Sequence, residues 1–164
     1  PSAEVQQPAS EVICNGSSTT AVNFTTSYTS GATTFAWTNS NTSIGLASSG
    51  TGSIPSFTGV NLGTTPQVAT IVVTPTYTNA GVSCTGAPKS YTITVNPIAQ
   101  VNQPTAQVIC SGDTYSFNFT SANTGGSTTY SWTNNNTAIG LNVANGTGSI
   151  PSFTAVNTDR KSVV

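Results

Sequence analysis

Apolar and polar side chains alternate along several short segments of this chain. In residues 90–95 the side chains of Tyr91, Ile93 and Val95 are separated by single threonines, which places them together on one face of an extended strand. Glycine, asparagine and serine punctuate these segments at turn positions. The same alternation predicts five further strands in the first 96 residues, at 11–14, 21–26, 33–39, 52–58 and 67–74.

The composition agrees with this pattern. Threonine, serine, asparagine and valine are abundant, and the chain contains no methionine. Threonine and valine lose side-chain freedom in a helix but pack well on a pleated sheet, while asparagine, serine and glycine favour turns. The sequence therefore predicts an all-β fold with almost no helix.

The chain contains an internal repeat. Residues 1–16 align without a gap on residues 97–112, 96 positions later, and the nonapeptide Gly-Thr-Gly-Ser-Ile-Pro-Ser-Phe-Thr at 50–58 recurs unchanged at 146–154. A fixed period of this kind indicates a tandem array of structural repeats. We expect a complete repeat at 1–96 and a second repeat at 97–158 that lacks its last two strands.

The last six residues differ from the rest of the chain. Residues 159–164, Asp-Arg-Lys-Ser-Val-Val, depart abruptly from the sequence of the first repeat. They carry three of the seven charged residues of the whole chain. The hexapeptide is also the translation of a common sequencing-library adapter, so we expect it to be read-through and not native protein. Since the chain starts at Pro1 and no signal peptide precedes it, we interpret it as a metagenomic fragment.

The strand count suggests an architecture. Six or seven short strands in about 96 residues, with a tryptophan on the third, are typical of an immunoglobulin-like sandwich. We therefore expect tandem immunoglobulin-like β-sandwich repeats. The predicted core consists of Phe24, Phe35, Trp37, Ile71, Val73, Tyr91, Ile93 and Val95 in the first repeat, and Phe119, Tyr130 and Trp132 in the second.

Several motifs resemble the PKD-like repeats of large secreted and cell-surface proteins of Bacteroidetes. They are C-x-G, then W-T-N-x-N-T-x-I-G-L, then G-T-G-S-I-P-S-F-T-x-V-N, and a closing Y-T-I-T-V-N-P. The resemblance covers residues 1 to about 158. It implies an immunoglobulin-like sandwich, an extracellular location, and membership of long arrays such as those of adhesins and gliding-associated proteins.

The three cysteines fit an oxidising, extracellular compartment. Cys14 ends the first predicted strand and Cys84 precedes the last, and in a sandwich those strands can lie close together, so we expect a structural disulfide between them. Buried free thiols are the alternative. Cys110 takes the place of Cys14 in the second repeat, and its partner would fall at position 180, so we expect Cys110 to be unpaired.

Charged residues are scarce, with 3 Lys or Arg, 4 Asp or Glu and no His. A Ser-His-Asp or Cys-His arrangement needs histidine, and paired-carboxylate or calcium chemistry needs acidic clusters that the sequence does not provide. Zinc needs about four ligands, nucleic acid needs a basic face, and a membrane span needs about 18 apolar residues. The sequence therefore predicts a non-enzymatic chain with no cofactor, no metal, no nucleic-acid partner and no membrane insertion.

We thus expect an extracellular structural spacer whose partners are neighbouring repeats of the same chain. Pro97 and Pro104 would stiffen the linker between repeats. One alternative is a module that binds glycan or a surface protein through the loop at 39–52, or by stacking on Trp37 and Trp132, although core packing explains the tryptophans more simply. Another is a strand-exchanging filament subunit, because a repeat without its last strands exposes unpaired edges.

Overall fold

The computed structural model describes residues 2–158, and within this range the regular structure is β-strand with two short 3-10 turns. The all-β prediction is confirmed. The first half contains strands β1 (Glu11–Cys14), β2 (Ala32–Asn39), β3 (Ser49–Thr51), β4 (Gln67–Asn79), β5 (Val82–Thr85) and β6 (Lys89–Asn96). The second contains β7 (Thr114–Phe117), β8 (Ser131–Thr133), β9 (Asn145–Thr147) and β10 (Ile150–Thr154), and the turns are Thr42–Ile44 and Thr137–Ile139.

The chain divides into two compact units, Pro1–Ile98 and Ala99–Val164. The predicted boundary lies at 96/97, beside this division. Residues 159–164, which we expect to be adapter read-through, lie outside the described residues.

The first unit is organised around one six-stranded sheet in the order β1-β6-β4-β2-β3, with β5 also paired to β4. The first and last of these strands in the chain, β1 and β6, are parallel neighbours, whereas the other pairs are antiparallel. The predicted strands at 11–14, 33–39 and 90–95 coincide with β1, β2 and β6 to within a residue.

Strand β4 continues through Pro75, where the sequence predicted it to end at Thr74. The carbonyl of Pro75 accepts a hydrogen bond from the amide of Gly86 at 3.0 Å. This edge of β4 therefore faces the segment that carries β5 and β6. A residue in an antiparallel strand presents its N–H and C=O to the same side, and proline has no N–H to offer there. Residues 86–88 accordingly form a break in strand structure between β5 and β6.

Two predicted strands, 21–26 and 52–58, do not form continuous strands. They pair at an isolated bridge between Val22 and Ile54, and a second isolated bridge joins Thr58 to Ser18, which lies just before the first segment. Pro55 removes one donor from this pairing. The hydroxyl of Thr19 accepts a hydrogen bond from the amide of Phe57 at 3.0 Å, so a side chain replaces part of the missing ladder.

These two segments cover one face of the sheet and make the first unit two-layered, in the manner of a sandwich. The core cluster between the layers contains Trp37, Ile71, Val73, Tyr91, Ile93 and Val95, all expected there, together with Val5, Ile44, Leu46, Ile54 and Ala69. Phe24 and Phe35 are partly buried and pack against this cluster with their ring centroids 5.7 Å apart.

The segment before β1 belongs to the folded unit. Ala3 and Val5 are buried, and the amide of Gln6 donates to the carbonyl of Thr25 at 2.9 Å. The repeat aligns residues 1–8 with 97–104, the segment expected to be an inter-repeat linker. That expectation is corrected for the first copy, because residues of this segment supply core side chains.

The second unit consists of two separate two-stranded ladders, β7 with β10 and β8 with β9. Its expected core residues Phe119, Tyr130 and Trp132 are only half-buried. The ring of Phe119 lies 5.1 Å from that of Phe117 and 5.6 Å from that of Tyr130. Among residues 99–158, only Leu141 and Ala155 are buried apolar residues, so this unit has a much thinner core than the first.

Candidate functional site

The Trp-Thr-Asn segment is the most elaborate local structure that both units share. Trp37 on β2 lies opposite Gly50 on β3, and Trp132 lies opposite Gly146 in the same way. A methyl group built on either glycine would come 2.3 Å from the indole. Glycine is therefore required for the indole to lie flat against the neighbouring strand. The face of Trp37 that could stack on a sugar is covered in this way, and this side chain is buried.

Asn39 follows Trp37 at the end of β2 and is buried. Its amide nitrogen donates to the carbonyls of Leu46 and Ala47 at 3.0 and 3.2 Å, and its Oδ1 accepts from the amide of Asn41 at 2.9 Å. The side chain thus fastens the following loop to the end of the strand. The sequence did not predict this role for Asn39. The recurrence of Trp-Thr-Asn in both copies was the one feature that could have pointed to it.

The next asparagine in each copy caps a 3-10 turn. The Oδ1 of Asn41 accepts from the amide of Ser43 at 3.1 Å, and Asn136 accepts from Ala138 at the same distance. The turn then ends in the left-handed region at Gly45, where φ is 97°. Asn134 repeats the bonds of Asn39, donating to the carbonyls of Leu141 and Val143. The side-chain amides of this motif are therefore used within the fold, whereas the buried indole N–H groups of Trp37 and Trp132 have no hydrogen-bond partner among the described residues.

Charged side chains make local polar contacts. Glu11 accepts hydrogen bonds from the amide and hydroxyl of Thr20, and Glu4 accepts from Ser27 and Gln6. Within residues 2–158 no group of three or more His, Cys, Asp or Glu side chains comes together as metal ligands would. No helix in that part of the chain is long and apolar enough to cross a membrane.

The environment of Tyr91 shifts the titration of its phenol. Its side chain is buried, and its hydroxyl has no hydrogen-bond partner among the described residues. Burial, with a smaller contribution from the negative charge of Glu11, raises the pKa of Tyr91 to about 12. Both causes disfavour the phenolate, so the neutral hydroxyl is part of the folded state.

The predicted disulfide between Cys14 and Cys84 does not form. Both cysteines, and Cys110 as well, are exposed free thiols. Cys14 pairs with Asn96 at the end of β6 that lies beside Gln67, whereas Cys84 pairs with Tyr77, ten residues further along β4. At about 3.4 Å per residue this separates them by roughly 30 Å, far beyond the reach of a disulfide. Cys110 is unpaired, as expected, but the explanation that it has lost the partner of an equivalent bridge has no support in the first unit.

The second unit contains an open cleft. Its volume is about 700 Å³, and it lies between residues 107–111 and residues 153–158. Its apolar lining consists of Val108, Ile109, Tyr115, Ala138, Ile139, Phe153, Ala155 and Val156. The sequence predicts unpaired strand edges in this repeat, but it does not indicate where a cleft would lie.

Comparison of the chain with protein-family models, with curated proteins and with solved structures finds no match.

Proposed function

We propose that this chain is a non-enzymatic spacer made of tandem immunoglobulin-like, PKD-like repeats in a large extracellular or cell-surface bacterial protein of the adhesin type. Its role is to hold neighbouring domains apart and to transmit tension between them. Its partners are the adjoining repeats. The observation that carries the proposal is the parallel pairing of β1 with β6 at the two ends of the first unit.

The strand order supports an immunoglobulin-like assignment. In such sandwiches the third, sixth and seventh strands form one sheet, with a core tryptophan on the third, and the second and fifth strands lie in the other sheet. Strands β2, β4 and β6 are adjacent in this manner, and Trp37 is on β2. The bridged segments around Val22 and Ile54 correspond to the second and fifth strands.

The pairing of β1 with β6 determines how the unit responds to a pulling force. Because the strands are parallel, force applied before Glu11 and after Asn96 pulls them in opposite directions along their length. The hydrogen bonds of the ladder then share the load and must break together. A ladder loaded from one end would instead open one bond at a time. The first unit is thus arranged to resist extension between its ends.

Side chains and flanking amides extend this ladder. The amide of Asn15 donates to the carbonyl of Asn96 at 2.8 Å. Upstream, Ser10 Oγ accepts from the amide of Thr92 at 3.0 Å. These contacts lengthen the region that must shear before the unit can unfold.

The test is single-molecule unfolding of the full chain held at its two ends. N–H groups alternate between the two sides of a strand. Because the N–H of Asn15 points toward β6, the N–H of Ile13, two residues earlier, also points toward β6, whereas the N–H of Val12 points away from it. Ile13→Pro removes a load-bearing donor, and Val12→Pro is the matched control. Ile13→Ala removes the same side-chain contacts but keeps the donor.

We expect the unfolding force of the first unit to fall clearly in Ile13→Pro, more than in Ile13→Ala, and least in Val12→Pro. Forced unfolding is governed by the unfolding rate, so this ranking reports the barrier directly. Equal forces in Ile13→Pro and Ile13→Ala would contradict the load-bearing role.

The alternative of a glycan- or protein-binding module has less support. The loop at 39–52 uses the amides of Asn39 and Asn41 for its own structure, and Trp37 is buried. A glycan array probed with the full chain separates the two proposals. Saturable binding that is lost on substitution within this loop would favour the module over the spacer.

A further inference from the structure

The segment that precedes β1 in the first unit is held by fewer hydrogen bonds than β1 itself. We call residues 2–9 the strap. Within residues 2–158, one backbone hydrogen bond joins the strap to the rest of the unit, from the amide of Gln6 to the carbonyl of Thr25 at 2.9 Å. Strand β1, by contrast, pairs with β6 along its whole length, and the amide of Asn15 extends that ladder. The two adjoining segments therefore differ in how many bonds must break before each leaves the fold.

Apolar packing also attaches the strap to the unit. Ala3 and Val5 are 5% and 2% exposed, and Val5 belongs to the core cluster. The backbone of Ala3 passes directly over Gly86, because a methyl group built on that glycine would collide with the Ala3 carbonyl. Both buried side chains are small, so they remove less apolar surface from water than the isoleucines of the core do. This attachment is separate from the ladder between β1 and β6.

A cleft separates the later part of the strap from the second layer of the unit. Its volume is about 390 Å³, and it lies between residues 6–11 and residues 20–25. The side-chain amide of Gln7 donates to the carbonyl of Ser90 at 2.8 Å, but this bond is exposed, so water can replace it. The strap is therefore not packed continuously along its length.

The second unit attaches the equivalent segment by the same bond. The amide of Asn102, which the repeat aligns with Gln6, donates to the carbonyl of Thr120 at 2.8 Å. This segment, residues 98–105, follows β6 directly along the chain, so tension that passes through β6 must enter it. A segment of this kind thus lies on the path of the force between repeats.

We propose that the strap is a releasable element, which lets the first unit lengthen reversibly under tension before the ladder between β1 and β6 takes the full force. This inference rests on the spacer proposal, which places the unit under tension between its ends. Force applied at the N-terminal end reaches the strap first. Its single backbone bond yields at a lower force than the ladder, whose bonds must break together. Release stops at Ser10, whose hydroxyl accepts from the amide of Thr92.

The test is single-molecule extension of the full chain, with one handle at its N-terminus and the other on Ile98→Cys. The background carries Cys14→Ser, Cys84→Ser and Cys110→Ser, and this geometry loads only the first unit. We expect a short reversible step, no longer than the roughly 28 Å that eight extended residues span, at a force below that of unfolding. Unfolding without this earlier step would overturn the proposal.

Two substitutions separate release of the strap from rupture of the ladder. Val5→Ala weakens the packing of the strap, so it should lower the urea midpoint and the force of the short step. It should leave the unfolding force unchanged, because the strap has already left when the ladder shears. Ile13→Ala, the matched control on β1, should lower both the urea midpoint and the unfolding force. An equal fall in unfolding force in the two variants would contradict release before rupture.

Gly86→Ala dislodges the strap by a different route, since the new methyl would displace the Ala3 carbonyl. The short step should disappear, and the amide of Gln6 should exchange with solvent at least about tenfold faster. The unfolding force should be retained. A short step of unchanged size in a variant whose Gln6 amide exchanges this fast would overturn the proposal.

The same recordings distinguish the strap from the spacer role. If Ile13→Pro lowers the unfolding force but the wild-type chain shows no short step, the strap is rejected and the spacer proposal stands. If the short step is present but Ile13→Pro leaves the unfolding force unchanged, release of the strap is supported and the ladder's part in the spacer proposal is rejected.

Discussion

Replacing Asn39 by alanine tests whether the Trp-Thr-Asn motif is built for stability. The buried side chain makes three hydrogen bonds, to the carbonyls of Leu46 and Ala47 and from the amide of Asn41. At about 1 kcal/mol net for each bond, Asn39→Ala should lower the free energy of unfolding of the first unit by about 3 kcal/mol. For a domain of this size that is a fall in Tm of roughly 12 to 24 °C.

The assay is urea unfolding followed by tryptophan fluorescence, in a Trp132→Phe background so that Trp37 reports on the first unit. Asn23→Ala is the control, because this asparagine is exposed, and it should change the free energy of unfolding by less than about 0.5 kcal/mol. A loss below about 1 kcal/mol in Asn39→Ala would refute the structural role of the amide. The motif would then be free to serve as a binding loop.

Asn39→Asp tests the same contacts through their pH dependence. Its carboxylate would face the carbonyl oxygens of Leu46 and Ala47, so its pKa in the folded state should be raised above that in the unfolded chain. Protonation restores one donor. The variant should therefore be less stable than wild type at neutral pH and recover part of the difference in mild acid, with stability lost as the pH rises. A pH-independent deficit would contradict this geometry.

Three further predictions concern other positions. Gly146→Ala should destabilise the second unit by about 1 to 3 kcal/mol in thermal unfolding, because the new methyl would meet Trp132, whereas Gly126→Ala, with open space around it, should be nearly neutral. The raised pKa of Tyr91 means that the folded state favours the neutral phenol. The stabilisation that this group contributes is complete below pH 10 and is lost as the pH rises toward 12. Tyr91→Phe should remove that loss in urea titrations at pH 9 to 12. All three cysteines should react with a maleimide in the native, unreduced chain, and a protected pair would restore the disulfide hypothesis.

Sequence periodicity located the strands that have one buried and one open face. Residues 89–96 alternate cleanly, and β6 was predicted to within a residue at each end. Strand β5 was missed because all four of its residues are exposed and it therefore has no apolar period. The apolar residues of 52–58 predict a strand there, but Pro55 lacks a donor for a regular ladder and the hydroxyl of Thr19 replaces only part of it.

The cysteine prediction failed for a different reason. Two cysteines on the first and last strands of a sandwich can be close only if they are at the same level along the sheet. That level depends on pairing register, which the sequence does not specify. The position of Cys84 on β5, beside the far end of β4, could not be inferred while β5 itself was unrecognised. The cleft at Ile109 likewise required both copies to be compared in three dimensions.

The most direct test of the spacer proposal compares two directions of force on the first unit. In a cysteine-free background, handles at the two chain ends load β1 and β6 in shear, whereas handles on Ala9→Cys and Pro88→Cys pull at the same end of both strands and open the ladder stepwise. Unfolding of the first unit is recognised by a length gain of about 300 Å. We expect a much higher unfolding force with handles at the chain ends. Equal forces in the two geometries would contradict it.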